Sequence, residues 1–520
     1  MLTGTEPEQR RTGQAATAAS YANLTAASAY AAGHGLPALP ALRAVEELLD
    51  QTQQHRARLK SMNDIITTIT KTTPDSTELA ELEHLAGMAA QHLRRFADAE
   101  RHLQQALSQR LKFNDRHGAV STYHHLGVVA QEQRRFEEAE RHYQQALDLS
   151  LEFNDRHSAA MTYGQLGLLA QKQRRFEEAE RHYQQSLDLK LEFKDRHGAA
   201  GTYHQLGVVA QEQGRREEAE RHYQQALDLF LEFNDRHGAA DTYHNLGMVA
   251  QEQGQFEEAE RHYQQALDLS LEFNDRHSAA ITYGQLGVVA QKQGRFEEAE
   301  RHYQQSLDLK LEFNDRHAAA DAYHNLGVVA QEQGRREEAE RHYQQALDLF
   351  LEFNDRHAAA ITYGQLGVVA QEQGRFEEAE RHYQQSLDLK LEFKDRHGAA
   401  DAYHNLGVVA QEQGRFEEAE RHYQQALEAY CNAGDHQRAS AVTTSLSKLL
   451  AETERHDDAF AMAIDAAASW HHLTGQFDPA DLALIAAERE HVSDHTVQQA
   501  LNRLDKPIPD QLAEAISPGR

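Results

Sequence analysis

The chain has 520 residues, and its 82 acidic side chains against 53 basic ones leave a formal charge of -29. A surface this acidic repels phosphate backbones, so nucleic acid is not an expected partner; Cys431 is the only cysteine, which excludes an internal disulfide framework and a Cys-rich zinc site and makes a reducing cytoplasm the expected home. No run of about 18 apolar residues exists to span a membrane.

Residues 1–38 are rich in Ala, Thr, Ser and Gln and lack an apolar stripe, the composition of a flexible segment. Arg10 and Arg11 precede an Ala/Ser/Thr-rich stretch, but Tyr21, Asn23, Thr25 and Ser28 spoil its apolar core, so export is not expected. After Pro37 and Pro40, Leu42, Val45, Leu48 and Leu49 share one helix face and predict a helix to about Lys60, while Ile65, Ile66 and Ile69 predict a second, short one. Residues 39–79 are therefore expected to cap the open apolar face of the array that follows.

From residue 80 to residue 479 one sentence of forty residues recurs about ten times, closely over residues 120–439 and in degenerate form over 80–119 and 440–479. No proline falls between Asp75 and Asp478, as a nearly all-helical region requires. Taking Ala240 as position 1 of a unit, Tyr243, Leu246, Gly247 and Ala250 (positions 4, 7, 8 and 11) form one helical stripe, and Phe256, Ala259, Tyr263, Ala266 and Leu267 (positions 17, 20, 24, 27 and 28) form another. Gly254 is placed to leave the first helix in a left-handed conformation, and Asp275 to cap the next unit's first helix. Each unit is thus expected to be a helical hairpin, with Gly247 and Ala259 allowing close approach and the tyrosines filling the space beyond. After Pro479, Leu482–Glu490 and Thr496–Leu504 read as capping helices, with a Pro-containing tail from Lys506; residues 480–520 form this C-terminal cap and tail.

An aromatic at position 4, Leu-Gly at 7 and 8, and Ala, aromatic and Ala at 20, 24 and 27 resemble the tetratricopeptide repeat (TPR). The common unit has 34 residues and a proline near its end; this one is six longer, with Leu271 there, and is similar to the extended repeats of Pins-type adaptors and of bacterial signalling and regulatory proteins. The resemblance implies an all-α TPR α-solenoid, a right-handed superhelix of antiparallel hairpins whose first helices line a concave groove. It also implies a second helix continuing through Phe273 to the Asn-Asp-Arg-His corner.

Groove contacts are then expected at positions 2, 5, 9, 12 and 13, with 6 beside them. The candidates are Asp241, His244, Asn245, Met248, Gln251, Glu252, Ile281, Gln285, Asp321, His324, Asn325, Gln331, Ile361, Gln365, Asp401, His404 and Asn405. Amides at positions 6 and 12 carry both donor and acceptor and suit an extended peptide backbone, though solvated polar surface has the same composition. Positions 2 and 5 alternate between Asp-His and Ile-Gly (Asp241/His244, Ile281/Gly284, Asp321/His324, Ile361/Gly364, Asp401/His404), leaving a bare apolar notch in every second unit. Position 31 runs Ser150, Lys190, Phe230, Ser270, Lys310, Phe350, Lys390, a sign that a three-unit block was duplicated, so the alternation is read equally well as copying history.

Position 9 is apolar in the strong units (Val208, Met248, Val288), and no Lys or Arg stands at position 2 or 5, so the family's clamp for a C-terminal carboxylate is not expected; Lys172 and Lys292 at position 13 are the groove's exceptional cations. The histidines recur mainly at positions 23 and 38, where solvated or corner-capping roles are expected, without an HExxH pair. Neither GxxxxGK[ST] nor GxSxG occurs. The sequence therefore points to a non-catalytic scaffold without cofactor or metal, binding a protein or peptide segment; the alternative is a peptide-responsive subunit that switches a separate enzyme or transcription factor.

Overall fold

The structure is a computed structural model that describes residues 55–72, 76–502 and 510–517. Its described residues are helical throughout, without strands, and the chain divides after Ala266 into two compact units.

The first unit begins with the helix His55–Thr72, followed by the hairpins Thr77–His92/Phe96–Lys112, Arg116–Glu132/Phe136–Glu152, Arg156–Lys172/Phe176–Glu192 and Arg196–Glu212/Arg216–Glu232, then Arg236–Glu252 and the start of Phe256–Glu272. The predicted Leu42–Lys60 helix lies mostly outside the described residues. From His55 onward the structure corrects its end, because the helix runs unbroken through Lys60 to Thr72. Leu59, Met62 and Ile66 stand on one face of it and are buried with Leu82 and Leu85, so a single apolar stripe spans what the sequence suggested were two helices.

The second unit continues through Arg276–Lys292/Phe296–Glu312, Arg316–Glu332/Arg336–Glu352, Arg356–Glu372/Phe376–Glu392, Arg396–Glu412/Phe416–Ala433 and His436–Glu452/His456–Thr474. Three short helices follow, Pro479–Arg489, Asp494–Leu501 and Asp510–Ile516. The last was expected to be tail. It is held because Leu512 and Ile516 are buried with Phe460, Ile464 and Ile485, an apolar contact that the surrounding prolines disguise in sequence.

Each hairpin is built by the same local rules. The aspartate at position 36 caps the following first helix: Asp355 Oδ1 accepts from Ala358 N at 3.1 Å and Asp195 Oδ1 from Gly198 N at 2.8 Å. The first helix leaves through position 15 with positive φ, glycine at Gly254 (75°) and Gly294 (72°), but arginine at Arg134 (60°) and Arg174 (59°). The second helix ends at Glu272, and Asn274 (57°) makes the corner, so its extension to the Asn-Asp turn is as predicted. Between the two helices, the ring of Tyr303 lies against Gly287, and that of Tyr183 against Gly167, where no side chain intervenes.

Candidate interaction surface on the first helices

Consecutive first helices also touch one another within the first unit, Arg116–Glu132 meeting Arg156–Lys172 and Arg196–Glu212 meeting Arg236–Glu252, which places their stripes side by side. Two kinds of hairpin occur there, with histidine at position 5 (His124, His204, His244) or glycine (Gly164). Where position 5 is histidine, its ring turns over the tyrosine at position 24 and reaches the next hairpin. His204 lies 5.4 Å from the ring of Tyr223, its Nδ1 hydrogen-bonds with Thr242 Oγ1 at 3.1 Å, and its Nε2 with Asn245 Nδ2 at 3.3 Å. In the second unit His324 Nδ1 meets Thr362 Oγ1 at 3.1 Å and His404 Nε2 meets Ser445 Oγ at 3.4 Å. Burial disfavours the charged form of these rings: it pushes His324 down to about 4, and lowers His204, His244 and His404 against the opposing pull of Asp241 or Asp401.

Where position 5 is glycine, position 27 is serine. Ser186 Oγ donates to the Ala160 carbonyl at 2.7 Å and stands 3.7 Å from the place a Cβ of Gly164 would take; Ser306 and Ser386 do the same beside Gly284 and Gly364. The histidine's space stays empty, and the position-2 neighbour is an exposed apolar side chain: Met161 (48%), Ile281 (43%) or Ile361 (43%). At Gly164 the result is a cavity of about 300 Å³ lined by Met161, Gly164, Gln165, Leu168, Tyr183 and Lys190 of one hairpin and Gly201, Thr202 and Gln205 of the next.

The structure corrects the expectation for position 12. Gln251 and Gln331 were read as amides offered to a ligand, yet Tyr263 Oη donates to Gln251 Oε1 at 3.2 Å and Tyr343 Oη to Gln331 Oε1 at 2.8 Å. The amide nitrogen of Gln331 reaches Glu372 of the next hairpin at 3.4 Å, and that of Gln211 reaches Glu252 at 2.9 Å, so Glu252 is engaged as well. This polar row ties hairpins together. Asn245 is bound to His204, Asp401 accepts from Arg438 Nη1 at 2.9 Å and from Tyr430 Oη, and Asp241 sits 3.5 Å from His237. In the second unit Asn325, Asn405, Gln285 and Gln365 are partly exposed on the first helices, as Ile281 and Ile361 are exposed; in the first unit Met248 is partly exposed.

Position 23 also departs from expectation. His182 is half-buried, stacked on Tyr163 with centroids 5.9 Å apart, and burial lowers its pKa. Position 38 is a corner contact: His197 Nε2 meets the capping carboxylate of Asp235 at 2.9 Å. The reading from sequence overlooked Met161, Gly164, Lys190 and Gly201, although the joint change of positions 5 and 27 marks them. Among the described residues no group of three His, Cys, Asp or Glu is placed to hold a metal, and no helix is long and apolar enough to cross a membrane.

Tandem antiparallel hairpins, closed from Gly127 to Gly407 by a tyrosine on a glycine, define an α-solenoid. A tetratricopeptide repeat family model matches residues 78–152, 158–232, 238–312, 318–392 and 398–470, and a second matches 125–190, 285–350 and 365–430; the chain belongs to the tetratricopeptide repeat family, whose general role is protein–protein interaction. No curated protein matches the sequence. Among solved structures, a signal transduction ATPase with numerous domains (STAND) carrying a tetratricopeptide repeat sensor, from Pyrococcus horikoshii, is 15% identical with a TM-score of 0.50, the match covering 64% of this chain and 52% of that one. The chain thus spans about half the length of that protein. Aspartyl phosphate phosphatase F from Bacillus subtilis is 13% identical (TM-score 0.45; 66% and 92% covered), and BtubC from P. vanneervenii is 20% identical (TM-score 0.38; 42% and 90% covered).

Proposed function

We propose that the protein is a non-catalytic interaction scaffold whose first-helix stripe binds an extended segment of a partner protein. The observation that carries this is the set of bare notches, each beside an exposed Met161, Ile281 or Ile361, set between hairpins whose position-5 histidines, such as His204 and His324, are locked into the structure. Notches that accept apolar side chains, separated by partly exposed amides, match the chemistry of an extended peptide, whose alternate side chains need pockets and whose backbone needs donors and acceptors. The acidic charge disfavours nucleic acid, and the free, exposed Cys431 fits a reducing cytoplasm.

The test is capture of partners from the native host followed by measurement of the captured segment against Asn325→Ala/Asn405→Ala. Affinity is expected to fall by about tenfold, the scale of one or two lost hydrogen bonds, with an unchanged melting curve. Undiminished affinity in the double variant would move the binding surface elsewhere.

A further inference from the structure

The position-31 cations differ in what neutralises them. Arg110 donates through Nη1 to the Gly118 carbonyl and to Thr122 Oγ1 (2.5 Å), and its Nη2 holds the Glu81 carboxylate at 2.7 Å. Glu81 occupies position 2 of its own hairpin. At the other end of the array Tyr430, also at position 31, donates to Asp401, again at position 2 of its hairpin. Lys310 and Lys390 feel, through space, the aspartate at position 2 of the next hairpin, Asp321 or Asp401, and the capping aspartate, Asp315 or Asp395.

Lys190 copies only part of this. Its Nζ donates to the Gly198 carbonyl at 3.2 Å and to Thr202 Oγ1 at 2.8 Å, the same two positions that Arg110 uses. The carboxylate is missing from both places that could supply it, because position 2 is Met161 in its own hairpin and Gly201 in the next. Asp195 acts on Lys190 through space, and among the described residues no carboxylate lies within ion-pair distance of it. An ammonium has three hydrogens, so one remains for a further acceptor. It lines the 300 Å³ cavity over Gly164, whose apolar lining includes Met161 and Leu168.

We propose that the Gly164–Lys190 notch seats an acidic side chain of the bound segment, with an adjacent apolar side chain on Met161 and Leu168. The ligand's carboxylate takes the place that Glu81 holds beside Arg110. This deepens the scaffold reading and rests on it: of the three glycine notches, the one at Gly164 selects for charge, whereas beside the Gly284 and Gly364 notches position 2 of the next hairpin is an aspartate, Asp321 or Asp401, and these notches select for apolar shape. In a chain of net charge -29 an acidic segment is repelled nearly everywhere, so an unanswered cation fixes its register.

The experiment uses the full chain and three fluorescein-labelled, end-capped twelve-residue peptides in which leucine alternates with Glu, Gln or Lys, read by fluorescence anisotropy at low and high salt. The Glu peptide is expected to bind about fivefold tighter than the Gln peptide at low salt, the scale of one partly shielded charge-assisted bond, and the advantage should shrink as salt rises. Gly201→Asp, which installs the residue found at Asp241, Asp321 and Asp401, and Lys190→Gln should each abolish the advantage without altering the melting curve. Asp321→Gly, which uncovers Lys310, should add a second acid-selective site. Equal affinity for the Glu and Gln peptides, tighter binding of the Lys peptide, absence of Glu-peptide binding, or a Glu preference that survives both Gly201→Asp and Lys190→Gln would overturn the proposal. If Gly164→His abolishes equal binding of Glu and Gln peptides, the groove stands and only its charge selection falls; the Asn325/Asn405 comparison judges the groove independently.

Discussion

A Cβ added at Gly287 would stand 2.6 Å from Cε1 of Tyr303, a ring packed on both sides and unable to yield as a flexible chain end does. Gly287→Leu should therefore cost about 1 to 3 kcal/mol by overpacking, read as a lower thermal midpoint, and even Gly287→Ala should be measurably destabilising. The opposite sign is expected at the other special backbone position. Arg174 holds φ at 59°, a conformation that its Cβ disfavours, whereas Gly214 and Gly254 hold 71° and 75° in later hairpins without that clash. Arg174→Gly should stabilise by about 0.5 to 1 kcal/mol, less the entropy that glycine gains when unfolded. A fall in the denaturation midpoint would mean that the arginine side chain contributes more than its backbone costs. Histidines set the pH response. Burial pushes His124, His125 and His324 down to about 4 from the ordinary 6.5, so between those values the unfolded chain binds protons that the folded chain refuses. Stability should then be complete above about pH 6.5 and fall progressively as pH drops toward 4. Thermal midpoints at neutral and mildly acidic pH measure this, and His324→Gln should flatten the slope.

At the scale of the helix, the capping aspartate is the most regular device in the chain. Asp355 caps Ala358 N and also lies 3.3 Å from His317 Nε2 of the preceding hairpin, so it both starts a helix and joins two hairpins. Asp355→Ala should cost about 1 kcal/mol, the usual worth of an N-cap, seen as a lower denaturation midpoint with an unchanged folded-state circular dichroism spectrum. These elements were legible in sequence because their signals are local: Asp275 before Arg276, Gly254 after Glu252, and the stripe Ala259–Tyr263–Ala266 each fall within one or two turns. The candidate site was harder to read. Gln331 looks like a ligand amide until Tyr343, twelve residues on, and Glu372, forty-one residues on, are seen to occupy both its ends. Position 5 histidines look like groove contacts until His204 is found against Tyr223 and Thr242. Both errors concern contacts between helices, which periodicity does not encode. The helix Asp510–Ile516 escaped notice for the same reason, since only its burial beside Phe460 and Ile464 explains why it forms.

Within each of the two units, contacts run from each hairpin to its neighbours, and the same pairs repeat. Arg135 of one hairpin holds Glu100 of the one before at 2.6 Å, as Arg335 holds Glu300, while within a hairpin Arg116 reaches Glu152 as Arg316 reaches Glu352, both at 2.6 Å. These pairs are each worth little, but together with the buried cluster in which Tyr303 and Leu307 of one hairpin, Leu326 and Tyr343 of the next and Leu366 of the third are packed together, they couple adjacent hairpins. Stability in such an array is a sum of hairpin terms and nearest-neighbour terms, so damage should spread by short steps. A single Gly367→Leu substitution, which would force a side chain into the ring of Tyr383, tests this directly. Hydrogen exchange should show protection lost in Arg356–Glu392 and weakened in the hairpins on either side, while amides of Arg156–Glu232 keep the parent's exchange rates. Uniform loss of protection along the chain would instead require a single cooperative unit, and with it a coupling between hairpins stronger than these neighbour contacts provide.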